Sequence, residues 1–153
     1  MYTRLNLAKT NYKIDVDWEL LDNTPTTLSA LDTIYKTYCA HKKFDSVIPL
    51  FRNEMLNCER IGYFEKSYDQ DGFYTRKLIA FSLILICDEE SVYCIQFSWD
   101  YNNPKLRMGI NSIETECAIY KERGYKYYYL GDEQDYFKQF DGYEELGPDA
   151  RAI

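Results

Sequence analysis

The chain has 153 residues, of which 46% are hydrophobic and 28% charged, and its formal net charge is −7. That length suits one domain with a proper core, and the acidic balance excludes a broad basic surface for duplex DNA. The longest apolar run, Leu78 to Cys87, is broken by Ser82 and falls well short of the ~20 residues of a membrane helix.

The N-terminal Met1-Tyr2-Thr3-Arg4-Leu5 lacks an apolar signal core, so the expectation is one cytoplasmic domain over 1–153. The cysteines, Cys39, Cys58, Cys87, Cys94 and Cys117, are odd in number, form no C-x-x-C pair and sit among apolar neighbours, as reduced core cysteines do. With His41 as the lone histidine, no metal site is expected. The sixteen tyrosines read mostly as half-buried strand residues with a polar tip.

Tyr12, Ile14, Val16 and Trp18 alternate and predict a first strand over 12–18. Thr24-Pro25 supplies an N-cap, and Leu28, Leu31, Ile34 or Tyr35, and Tyr38 follow at helical spacing to a basic end at His41-Lys42-Lys43. A second helix is expected from Asp45 or Ser46, with Pro49 in its first turn and Gly62 at its end.

Three strands follow. The first spans 63–68 and leads into Asp69-Gln70-Asp71-Gly72, a hairpin signal. The next, over 76–87, is nearly continuous apolar, as a strand buried on both faces is. The third runs over 92–99 and ends in the turn-rich Asp100-Tyr101-Asn102-Asn103-Pro104. Gly109 opens a helix with Ile113, Cys117, Ile119 and Tyr120 as its apolar positions, closed by Arg123-Gly124. A strand over 125–130, a short helix over 134–140 and a last strand over 142–146 complete the chain. The order β-α-α-β-β-β-α-β-α-β gives an α/β (α+β) fold: a central, mostly antiparallel mixed sheet with a β-α-β crossover and helices on both faces.

The segment Met108-Gly109-Ile110-Asn111-Ser112 carries the chemistry. A helix N-terminus has free N–H groups and about half a positive charge, and a glycine there lets a phosphate approach the backbone. Arg107 adds a guanidinium suited to phosphate. The plainer reading of such a junction is turn chemistry.

This element order resembles the GNAT N-acyltransferase superfamily. Its pyrophosphate signature Q/R-x-x-G-x-G/A reads here as Leu106-Arg107-Met108-Gly109-Ile110-Asn111, with Gly109 as the middle glycine. Met108 to Ser112 with Gly124-Tyr125-Lys126-Tyr127-Tyr128-Tyr129-Leu130-Gly131 is more closely similar to the C-terminal half of arginyl- and leucyl-tRNA–protein transferases. Phe97-Ser98-Trp99-Asp100 upstream and Glu145-Leu146-Gly147-Pro148 downstream extend the likeness.

The resemblance implies transfer of an acetyl or aminoacyl group to a primary amine, either a small molecule or a protein N-terminus or lysine. Acetyl-CoA or another acyl-CoA, or a charged tRNA, would be the donor. The backbone around Ile95, Gln96 and Phe97 would hold the donor or its oxyanion, in the gap where the fourth and fifth strands part. Arg107 to Ser112 would hold its phosphates, and Tyr136 would protonate the leaving group. Asp100, Asp132 and Glu133 end those strands as candidate bases, and each also reads as a cap. The alternative is a GNAT-like binding module without catalysis. A short C-terminal end leaves a sheet edge that a second copy could cover, making a homodimer.

Overall fold

The computed structural model describes residues 2–44, 49 and 57–147. Its elements are β1 (Tyr2–Asn6), β2 (Asp17–Leu20), α1 (Pro25–Lys42), β3 (Glu59–Tyr68), β4 (Tyr74–Ile86), β5 (Ser91–Trp99), α2 (Met108–Glu122), β6 (Tyr127–Asp132) and β7 (Tyr143–Glu145). The seven strands form one sheet in the order β2-β3-β4-β5-β6-β1-β7. Every pairing is antiparallel except β5–β6, the two strands joined through α2.

β4 shows why the helices divide between the faces. Its near-continuous apolar run buries Ile79 through Ile84. Phe81 and Leu83 pack with Leu31, Ile34, Tyr35 and Cys39 of α1. Ala80 and Ile84 belong to the other cluster, with Ile113, Cys117 and Tyr120 of α2. Period-two alternation in a central strand thus feeds two cores. α1 begins where its cap was read: Thr24 Oγ1 accepts from Thr27 N–H, and Pro25 occupies the first turn.

Three expectations need correction or placement. The alternating stretch 12–18 enters the sheet only at Asp17 and Trp18. Tyr12, Val16 and Trp18 do pack against the α2-side core, so the alternation reports burial without a ladder partner. The first strand is instead Tyr2–Asn6, inserted between β6 and β7. Its inward positions are Thr3 and Leu5, and a polar residue among only two inward ones hides the pattern. Gly62 ends no helix; it lies within β3, opposite Phe81. The expected second helix falls on 45–62, mostly outside the described residues.

The C-terminus of α2 is pinned to β3. Arg123 Nη1 and Nη2 donate to the two Glu59 carboxylate oxygens at 2.7 and 2.9 Å, and Tyr120 O–H donates to the first at 2.7 Å. The bidentate pairing with Arg123 holds the Glu59 carboxyl below the usual carboxylate range. At the opposite end, Gly142 turns the chain into β7 at φ +77°, and a Cβ there would lie 2.4 Å from the Asn6 carbonyl oxygen. Backbone cannot yield as a side chain tip can. Gly142→Ala is therefore expected to cost at least about 2 kcal/mol, between the left-handed φ and the clash. A urea midpoint equal to that of wild type would contradict this.

Candidate functional site

The pairing of β5 with β6 stops early. Ser91, Val92 and Tyr93 lie opposite Tyr127, Tyr128 and Tyr129, and no register follows, although β5 continues to Trp99 and β6 to Asp132. The cause is visible on the other flank of β5. Leu83 pairs with Gln96 and Ile84 with Cys94, so Ile95 is an extra residue, a β-bulge that bends the strand away. The bulge also shifts the alternation. Cys94 and Phe97 both face the α2-side core, whereas Ile95 joins the α1 side.

Beyond the last paired residues lies a cavity of about 410 Å³, lined by Cys94 to Phe97 of β5, Tyr128 and Leu130 of β6, and residues of both helices. The β5 residues read from sequence as donor-holding, Ile95, Gln96 and Phe97, are therefore all in its wall. Beyond Tyr93, half of the β5 backbone groups, those that would have bonded β6, are left facing the gap, since a strand presents its N–H and C=O groups alternately to its two neighbours.

The N-terminus of α2 opens onto the same cavity. Arg107 precedes it with φ 46° and gives no side-chain cap, and no acidic residue occupies the first turn. The Ile110 and Asn111 N–H groups already donate to the Arg107 carbonyl at 3.1 and 2.9 Å. Those of Met108 and Gly109 have no acceptor among the described residues. Gly109 lines the cavity, and an added Cβ would meet nothing within 4 Å. Its φ is that of an ordinary helix residue, so neither backbone nor packing demands glycine. What the missing side chain leaves is space beside two free donors.

The rest of the loop divides. Ser112 is in the cavity wall, and Met108 is buried in the core with Ile110 packed against it. Asn111 is used locally, its Nδ2 donating to the Leu106 carbonyl, and Arg107 is exposed outside the lining.

Beneath the gap sits a group that the sequence reading passed over. Glu116 is 0% exposed. Tyr128 O–H donates to its Oε1 at 2.6 Å, Ser82 Oγ–H to its Oε2 at 2.8 Å, and the Tyr63 hydroxyl also meets Oε2. Burial pushes the carboxyl up to about 7 against the opposing pull of these three hydroxyls. The same burial raises Tyr63, Tyr128 and Cys94, so all three stay protonated. The available signal was positional: Ile113, Cys117 and Tyr120 define a buried stripe at i, i+4 and i+7, and Glu116 lies at i+3 on that stripe.

The mouth is aromatic. Tyr38 stacks on Tyr101 at 6.0 Å and 9°, His41 lies 3.7 Å from the Tyr101 ring, and Trp99 packs 4.7 Å from it. Tyr136, on the 3-10 turn Asp135–Gln139, borders the cavity with its ring against Phe137 and Phe140. Burial raises its phenol above the ordinary value. Asp100 is placed elsewhere. Its carboxylate accepts from Asn102 N–H and Nδ2 at 3.0 and 3.2 Å, pairs with Lys77 at 3.8 Å, and is absent from the cavity wall. Asp132 and Glu133 are exposed and also outside that wall. Among the described residues no group of three or more His, Cys, Asp or Glu is arranged to hold a metal, and no helix is long and apolar enough to cross a membrane.

A mixed sheet with one parallel pair parts around a cavity onto which an uncapped helix N-terminus opens, and this is the GNAT-like arrangement that the element order implied. The chain belongs to the family described as arginine-tRNA-protein transferase, C terminus, whose model matches residues 30–137.

Among solved structures it is similar to the C-terminal (DUF2156) domain of a putative lysylphosphatidylglycerol synthetase from Agrobacterium fabrum. There the TM-score is 0.58 at 14% identity, over 92% of this chain and 53% of that one. L-PGS from Bacillus licheniformis gives 0.54 at 13%, over 85% and 45%. Saccharomyces cerevisiae N-myristoyltransferase with bound myristoyl-CoA gives 0.52 at 10%, over 96% and 50%. At these identities the likeness is one of fold, and the chain spans about half the length of each of these structures. No curated protein sequence matches it.

Proposed function

We propose that this domain transfers an aminoacyl group from the 3′ end of a charged tRNA to a primary amine, on a small molecule or at a protein N-terminus or lysine. The observation that carries the reading is that one cavity joins the parted β5 and β6 to the open N-terminus of α2. The amine would attack the donor carbonyl in the gap, with β5 backbone N–H groups turned to the developing oxyanion. The Met108 and Gly109 N–H groups would receive a phosphate of the donor.

Two features favour an ester of tRNA over a CoA thioester. Of the loop, Gly109 and Ser112 are in the cavity wall while Arg107, Met108 and Asn111 are not, which suits one phosphate better than a pyrophosphate. Tyr136, raised by burial, is also a weak acid. A thiolate leaves without much help, whereas a ribose alkoxide is basic enough to draw a proton from such a phenol. The family match points the same way.

A stable amide analogue of 3′-aminoacyl-adenosine that carries a 5′-phosphate should raise the melting temperature, and acetyl-CoA should not. A shift with acetyl-CoA alone would move the donor role to CoA, and no shift with either would count against a donor site. Tyr136→Phe is expected to lower turnover about 100-fold, with binding of that analogue unchanged. Unchanged turnover would remove Tyr136 from the chemistry. The second reading, a GNAT-like binding module without catalysis, is favoured by the local use of Asn111. It predicts ligand-induced stabilisation and no transfer.

A further inference from the structure

The Glu116 cluster draws one residue from each of four elements to a single carboxyl: Tyr63 of β3, Ser82 of β4, Tyr128 of β6, and Glu116 itself from α2. Its hydrogen bonding is complete in either protonation state. The Tyr63 hydroxyl has one proton and two neighbours, Glu116 Oε2 and the Ser112 carbonyl oxygen at 3.1 Å, and the carbonyl can only accept. With Glu116 ionised, Tyr63 gives that proton to the carboxylate. With a proton on Oε1, the carboxyl donates to the Tyr128 oxygen while Tyr63 still gives its proton to Oε2; with a proton on Oε2, the carboxyl donates to the Tyr63 oxygen and the Tyr63 proton turns to Ser112. The cluster therefore takes up or gives back a proton without leaving a buried hydroxyl or carboxyl oxygen unpaired.

From this arrangement we infer that Glu116 stores the proton that the acceptor amine must lose, acting as a positioning residue through Tyr128. The inference rests on the aminoacyl-transfer reading above. Glu116 has no solvent-exposed surface and borders the cavity beside Ser82, Cys94 and Tyr128, but hydroxyls cover both of its oxygens, and the Tyr128 O–H is the one on Oε1. As the acceptor ammonium gives a proton to the Tyr128 oxygen, Tyr128 passes its own to Glu116 Oε1. R–NH3+ and a carboxylate become R–NH2 and a carboxylic acid. The amine then forms the C–N bond and the ester C–O bond breaks. The second nitrogen proton reaches the ribose oxygen through Tyr136, and Glu116 returns its proton to solvent after product leaves.

The groups facing Glu116 are neutral hydroxyls and thiols: Tyr63, Ser82, Cys94 and Tyr128 from the sheet, and Cys117 and Tyr120 along its own helix. Its elevated affinity for a proton is consistent with a store that fills near neutral pH.

Two acceptors separate this role from a structural one. A lysine-containing peptide must lose a proton at pH 7; methoxyamine is already neutral there. Glu116→Gln should lower transfer from arginyl-tRNA to the peptide about 100-fold at pH 7 and leave transfer to methoxyamine nearly unchanged. Tyr128→Phe, which removes only a hydroxyl, should show the same split if the glutamine variant folds poorly. Equal losses with both acceptors, or no loss with either, would overturn the inference while the transfer reading stands. Absence of transfer by the wild-type protein would instead remove the transfer reading, and this one with it.

Discussion

Glu116→Ala is expected to destabilise the domain by about 3–5 kcal/mol, enough to remove much of the net stability of a domain this size. The substitution opens a void under the sheet and strips an acceptor from three hydroxyls, of which Tyr63, Ser82 and Tyr128 are all essentially unexposed. Glu116→Gln keeps the volume and an acceptor, so its loss should be much smaller. Equal unfolding midpoints for the alanine variant and wild type would contradict the placement of this side chain.

The same residue sets a pH dependence of unusual sign for a carboxylate. In the folded chain Glu116 holds its proton up to about 7, and in the unfolded chain only up to its ordinary value of 4.5. Between those values the folded state binds more protons, so stability is fully present below pH 4.5 and declines as pH rises through 7. The decline is on the order of 3 kcal/mol. Glu59 and Asp17, held below the usual range by Arg123 and Arg76, act in the opposite sense and at lower pH. Burial shifts Glu114 upward as well, so the difference between wild type and Glu116→Gln is the quantity to follow. Chemical unfolding from pH 5 to 8 should show a falling trend in wild type and a flatter one in the variant. Parallel curves would rule out this carboxyl as the source.

Gly109→Trp carries the second large effect. A Cβ at this position meets open space, and the indole would extend from it into the cavity without striking the core. The helix should gain slightly, since glycine is a poor helix residue by up to about 1 kcal/mol. Donor binding should be lost. A melting temperature at or above that of wild type, together with no response to the 3′-aminoacyl-adenosine analogue, is the expected pair of results. A variant that unfolds would show the site to be packed, and one that still binds would show that the donor does not sit at Gly109.

The contrast between Gly109 and Glu116 shows what was legible from sequence. The capped start of α1, the Asp-Gly hairpin and the glycine-opened α2 are local signals, written in a few consecutive residues. They placed most of the sheet and the helix start that opens onto the cavity. β1 was missed because its strand character is conferred by β6 and β7, more than a hundred residues away in sequence. Asp100 looked like a base at the end of a strand, but Asn102 and Lys77 claim its oxygens. Glu116 carries no local mark of its burial beyond its place on the α2 stripe. Its meaning depends on three hydroxyls from three strands, and no window along the chain contains them.

The proposed reaction is transfer of an aminoacyl group in the β5–β6 gap. It is tested most directly by incubating the protein with radiolabelled arginyl-tRNA and a peptide bearing a free α-amine and a lysine, then measuring label in the peptide. Label bound to the peptide through an amide is expected, lost when the tRNA is digested with RNase beforehand and absent with Gly109→Trp. Label that never leaves the tRNA, under conditions where the protein is folded and binds the aminoacyl-adenosine analogue, would contradict it.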